Sequence, residues 1–145
     1  MNLMTAMDVS ATGMVAERLR LNVISMNLAN AKTTQTETGL PYQRRTVVFR
    51  SRPMRGLFQQ FLNEQFGEQI RGVEVVRIEK RGGDFKRVHD PSHPDADAQG
   101  YVYYPNINLV EEMVNMLEAS RSYEANVTAV KAAKGMALKA LEIGR

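Results

Sequence analysis

The chain has 145 residues, 43% hydrophobic and 24% charged, with 19 Lys+Arg against 16 Asp+Glu for a formal net charge of +3. That is one domain's length and an ordinary soluble composition, which excludes collagen-like, low-complexity and acidic disordered chains. With no cysteine there is no disulfide, thiol nucleophile, iron–sulfur cluster or cysteine-held zinc, and no apolar run approaches the roughly 18 residues of a membrane span.

The opening residues, Met1-Asn2-Leu3-Met4-Thr5-Ala6-Met7-Asp8, have neither a basic n-region nor a continuous apolar h-region, so a cleaved secretory signal is not expected. Residues 4–31 hold no proline and a single glycine, Gly13. Their apolar positions keep helical spacing along two stripes. Val15 or Ala16, Leu19, Val23, Met26 and Asn30 form one; Met14, Leu21, Ile24 and Leu28 form another, nearly opposite. Two stripes predict a helix with neighbours on two sides. Asp8, Ser10 or Thr12 is the expected start cap, and the threonine-rich run 33–38 before Gly39 and Pro41 is the expected stop.

The middle changes period. Residues 46–49, 73–78 and 101–104 are β-branched or aromatic runs that predict strands, and Arg81-Gly82-Gly83-Asp84-Phe85 predicts a turn feeding another. Residues 57–66 suit either a short helix or a loop. Between Glu37 and Glu64 there is no acid, while Arg44, Arg45, Arg50, Arg52 and Arg55 all fall there. Such a patch suits phosphate or an acidic partner surface. It supports a second reading, a nucleic-acid-associated coiled-coil protein, though no helix-turn-helix, zinc-finger or RRM pattern accompanies it. His89, His93, Asp90, Asp95 and Asp97 crowd one short stretch, but Pro91 and Pro94 mark it as a rigid connecting loop rather than a metal site.

The last section, 105–145, carries a ladder at Leu109, Met113, Met116, Ser120, Tyr123, Val127, Val130, Lys134, Ala137 and Leu141. Alternating steps of four and three predict a coiled-coil seam. Asn106 or Asn108 is the expected N-cap; Glu111 and Glu112 near the start and Lys131, Lys134 and Lys139 near the end suit the helix dipole. The fold class expected is α+β: an N-terminal helical section (1–36) and a C-terminal one (105–145) pair as an antiparallel coiled coil around a small β-rich middle (37–104). No nucleophile elbow, P-loop or dinucleotide motif is present. The chain is therefore read as a non-enzyme without cofactor or metal.

Ala11-Thr12-Gly13-Met14, followed by Asn27-Leu28-Ala29-Asn30-Ala31-Lys32-Thr33, resembles the N-terminal signature of bacterial flagellar rod and hook proteins. Gly39-Leu40-Pro41-Tyr42-Gln43-Arg44-Arg45, Asp90-Pro91-Ser92-His93-Pro94 and Ser120-Arg121-Ser122-Tyr123-Glu124-Ala125-Asn126 narrow the resemblance to subunits of the proximal rod. It covers nearly the whole chain. Thr12 stands where the family usually has Ser, and Lys32 where Asn is common. The resemblance implies a structural protein exported uncleaved by the flagellar type III apparatus. It implies assembly in the periplasmic space into a torque-transmitting tube around the export channel. The implied partners are other copies, other proximal-rod proteins, the distal rod protein and the adapter joining rod to export gate and membrane ring; neither nucleic acid nor a direct membrane span is implied. The residues expected at subunit packing are Met14, Leu19, Leu21, Val23, Ile24, Met26, Asn27, Leu28 and Asn30 on the first helix. On the last they are Leu109, Met113, Met116, Ser120, Tyr123, Val127, Val130 and Leu141.

Overall fold

A computed structural model describes residues 3–54 and 70–143; Arg55 and the helix-or-loop stretch 57–66 lie outside them. Helix α1 spans Leu3–Ala29. Strands β1 (Arg45–Pro53) and β2 (Arg71–Lys80) form one antiparallel sheet, and β3 (Lys86–His89) and β4 (Tyr101–Tyr104) form another. Helix α2 spans Leu109–Ile143. Among the described residues this is the expected α+β plan, with a long helix towards each end and β structure between.

The helices are antiparallel. Asn27 lies beside Glu112, Arg20 reaches Glu118 at 3.6 Å, and Gly13 meets Asn126. Ala16, Val23, Ile24 and Asn27 are buried on α1; Glu112, Ala119 and Ala133 are buried on α2. The alanines and Gly13 explain the close approach: a Cβ on Gly13 would stand 2.9 Å from the Asn126 amide nitrogen.

The packing bears out one expectation and corrects part of another. Val23 and Ile24, assigned to opposite stripes of α1, are buried together at 2% and 5% exposure. Helix α1 packs against both α2 and the β1–β2 sheet, the neighbours on two sides that its two stripes predict. The α2 ladder holds in its middle, where Met116, Ser120, Tyr123, Val127 and Val130 are half-buried, and departs from the packing elsewhere. Leu109, Met113 and Leu141 are exposed, and the fully buried positions are 112, 119 and 133, each one residue before a ladder position. Hydrophobicity favoured Met113 over Glu112, but the glutamate has partners inside that offset its desolvation.

The expected start caps of α1 also fail. Asp8, Ser10 and Thr12 lie within the helix, which begins by Leu3. For α2, Asn108 is the N-cap: its Oδ1 accepts from Val110 N at 3.1 Å and Glu111 N at 3.4 Å.

The β1–β2 sheet lies along α1. Arg45 pairs with Lys80 and Ser51 with Val73, and Val76 is an extra residue opposite the step from Val48 to Phe49. The bulge shifts the register of the pair at that point. In the smaller sheet Val102 is fully buried, and Gly100 adopts a φ of +77° to close the turn back into β4.

Candidate assembly site: two three-way junctions

Two points hold the helices and the long hairpin together. At the first, near the end of α1, Asn27 is 1% exposed. Its Nδ2 donates to the Arg45 carbonyl at 2.9 Å and to Glu112 Oε2 at 2.9 Å. Its Oδ1 accepts from Arg45 N at 2.9 Å and from the Tyr42 hydroxyl at 3.1 Å. An amide has two donors and two lone pairs, so every valence is used. One side chain thereby joins α1, the start of β1 and the start of α2.

Glu112 completes this junction. It is 1% exposed. Its Oε1 accepts from Arg44 Nε at 2.7 Å, and a second Arg44 nitrogen closes the pair. Arg44 also reaches the exposed Glu111 at 3.3 Å. Burying a carboxylate is tolerable only with a counter-ion and hydrogen bonds, and both are supplied. Tyr42 sits against the same network, with the Arg45 guanidinium 5.7 Å from its ring centre. Burial raises the Tyr42 phenol above its ordinary pKa; the Arg45 charge opposes that rise and the Glu112 charge adds to it. The phenol thus stays protonated and able to donate to Asn27.

The second junction lies fifteen residues earlier. Thr12 Oγ1 donates to the Val9 carbonyl at 2.7 Å and accepts from Val73 N at 3.1 Å. Gly72 is buried beside it, and a Cβ there would stand 2.8 Å from Thr12 Oγ1. The adjacent Gly13 admits Asn126 of α2. Helix rise makes the span from Thr12 to Asn27 about 22 Å, and strand rise makes the span from Val73 to Lys80, the partner of Arg45, about 24 Å. The two lengths match, so the hairpin is fastened at both ends along α1.

Of the expected packing residues, Asn27, Val23 and Ile24 are buried within the chain, while Met26, Leu109, Met113 and Leu141 are exposed. Met14, Leu19, Leu21, Leu28, Met116, Ser120, Tyr123, Val127 and Val130 are half-buried. Asn30 caps its own helix, donating from Nδ2 to the Met26 carbonyl at 2.9 Å. Glu112, Arg44 and Tyr42 were not anticipated as one unit. The available signals were a Tyr-Xaa-Arg-Arg run soon after α1 and adjacent acids opening α2.

The arginine stretch is not one open patch. Arg44 is committed to Glu112, and Arg50 pairs with Glu74 across the β1–β2 sheet at 3.2 Å. The histidine–aspartate loop is held by its own turns. Asp90 Oδ1 accepts from Ser92 N and Oγ, Asp97 Oδ1 accepts from Gln99 N and Tyr101 N, and Thr34 donates to Asp95 at 2.6 Å. The Asp90 pKa is lowered chiefly by the Ser92 side-chain hydrogen bond, and that of Asp97 by the Tyr101 amide.

Both junctions draw on segments that match known families. Residues 7–34 match the family described as "Flagella basal body rod protein", and residues 98–143 match "Flagellar basal body rod FlgEFG protein C-terminal". The flagellar basal-body rod protein FlgC of Bacillus subtilis is 44% identical, with 97% of each chain covered. The chain belongs to the FlgC family of flagellar basal-body rod proteins. Relatives of the same name from Borreliella burgdorferi and Escherichia coli O6:H1 are 43% and 38% identical; the alignments cover 99% of this chain and 98% of the first relative, and all of both chains for the second. In this FlgC-family chain, Thr12 and Asn27 fall within the residues matched by the first rod family and Glu112 within those matched by the second, whereas Tyr42 and Arg44 lie between the two.

Proposed function

We propose that this structural rod subunit works in the proximal part of the rod, in the periplasmic space. It packs there against copies of itself, other proximal-rod proteins, the distal rod protein and the adapter at the export gate. It reaches that site through the flagellar export apparatus without cleavage. The role is mechanical: helix pairs from successive subunits form the wall of a tube that encloses the export channel and transmits torque.

The observation that carries this reading is the apolar surface left on α2. Leu109, Val110, Met113, Val114 and Leu117 are 47–69% exposed at its start, and Met136, Leu138, Leu141 and Ile143 are 53–86% exposed at its end. Exposed apolar residues this close together mark a surface that other protein covers. Val110, Val114 and Leu117 share one face by helical spacing. Replacing all three with Asp is expected to leave the chain exported and folded but absent from isolated basal bodies, with motility lost. Normal basal bodies containing this variant would overturn the reading.

A further inference from the structure

We propose that Glu112 is a positioning residue that makes the docking of α2 conditional on prior docking of residues 42–45. The basis is the asymmetry of the first junction. The buried anion belongs to α2, but its counter-ion, Arg44, belongs to the segment leading into β1.

Consider the elements in pairs. When α1 meets residues 42–45 without α2, Asn27 keeps its bonds to Arg45 and Tyr42. Its remaining N–H faces water, and Arg44 is a solvated cation, so nothing charged is buried without a partner. When α1 meets α2 without residues 42–45, Glu112 enters the interface with only the Asn27 N–H to receive it. A buried carboxylate without its counter-ion is strongly unfavourable. Cations nearby do not remove the difficulty. Arg20, Arg45 and Arg81 line the adjoining cleft of about 220 Å³. Arg45 and Arg81 arrive with the same β segment, their backbones bonded to Asn27 and to the Arg44 carbonyl. Arg20 is on α1 but is engaged by Glu17 at 3.8 Å and Glu118 at 3.6 Å. The favourable order is therefore hairpin onto α1 first and α2 last. A subunit whose middle is misplaced does not present a finished helix pair. This inference concerns the single chain and stands whether or not the partners proposed above are right.

The test is hydrogen exchange with mass spectrometry on the full-length chain. In Arg44→Met, amides of residues 109–119 are expected to exchange on the order of a hundredfold faster than in the wild type, with β1, β2 and the middle of α1 little changed. Adding Glu112→Gln keeps an acceptor for Asn27 and removes the stranded charge; most of the α2 protection is expected to return. Arg44→Lys, which keeps the charge but loses the two-pronged contact, is expected to fall between wild type and Arg44→Met. A merely structural contact would give equal acceleration in every element, and that result overturns the proposal. So does a loss of protection that Glu112→Gln does not reverse, including complete unfolding of both variants. A wild-type chain whose residues 109–119 exchange at the free-peptide rate overturns it as well.

Discussion

Asn27 and Glu112 are 85 residues apart in sequence and 2.9 Å apart in space, and each is 1% exposed. The contact joins the end of one helix to the start of the other and sets their register. Asn27→Ala leaves Glu112 Oε2, Arg45 N and the Tyr42 hydroxyl without their common partner. We expect a loss of about 3 kcal/mol, several unmet buried groups at 1–3 kcal/mol each being partly relieved by relaxation. Asn27→Asp is expected to be worse, because it sets a second carboxylate beside Glu112. Urea unfolding followed by circular dichroism measures both. A loss below about 1 kcal/mol for Asn27→Ala would remove this junction from the account of stability.

Tyr42 gives the junction a pH dependence of known sign. Its folded-state pKa is raised, mainly by burial. Its contribution is therefore complete below the ordinary phenol pKa and is lost as pH rises through the folded value. Tyr42→Phe is expected to cost about 1 kcal/mol at neutral pH, since Arg45 N still serves Asn27 Oδ1. The gap between wild type and variant should shrink as the solution is made strongly alkaline. Urea midpoints of the two proteins across that range check this, and a gap that widens would contradict the assignment.

Gly13 offers a cycle in which two effects of similar size oppose each other. Alanine favours a helix over glycine by about 1 kcal/mol. In this chain the added Cβ would stand 2.9 Å from Asn126 Nδ2, which donates to the Ser122 carbonyl at 2.9 Å. Displacing that amide costs a hydrogen bond and some packing, about 1–2 kcal/mol. Gly13→Ala is thus expected to be neutral or mildly destabilising in the wild type. In an Asn126→Ala background it is expected to stabilise by about 1 kcal/mol. The coupling energy from thermal unfolding of all four proteins decides the matter, and additive effects would mean that the close approach carries no energy.

Val15 and Met26 stand eleven residues apart on α1 and are 70% and 38% exposed. Eleven residues are just over three full turns, so they share an outward face. Replacing both with Asp is expected to change stability by less than about 1 kcal/mol and to abolish incorporation into basal bodies. Ile24, at 5% exposure, provides the contrast. Ile24→Asp is expected to unfold the helix pair, through burial of an unpaired charge. Immunoblots of purified basal bodies beside melting curves of the soluble proteins separate the two outcomes.

The sequence by itself determined the element types and much of their extent. Thr46-Val47-Val48-Phe49 and Val73-Glu74-Val75-Val76 lie in β1 and β2, Tyr101–Tyr104 is β4, and Asn108 caps α2. These signals are local: β-branched runs, turn residues and a side chain within reach of the next helical amides. Only the tertiary structure decided which polar side chains join the buried face of each helix. Hydrophobic periodicity put Met113 in the seam, whereas Glu112 is buried and Met113 is 60% exposed. The reason is that burying a charge depends on its partners, and those of Glu112 come from Asn27 and Arg44, 85 and 68 residues away. Thr12 teaches the same point. Alone it is an interior helix residue that bonds back to Val9, and its bond to Val73 exists only because the hairpin folds along α1. Periodicity records how apolar a position is, whereas burial of a polar side chain is settled by what the rest of the chain brings to meet it.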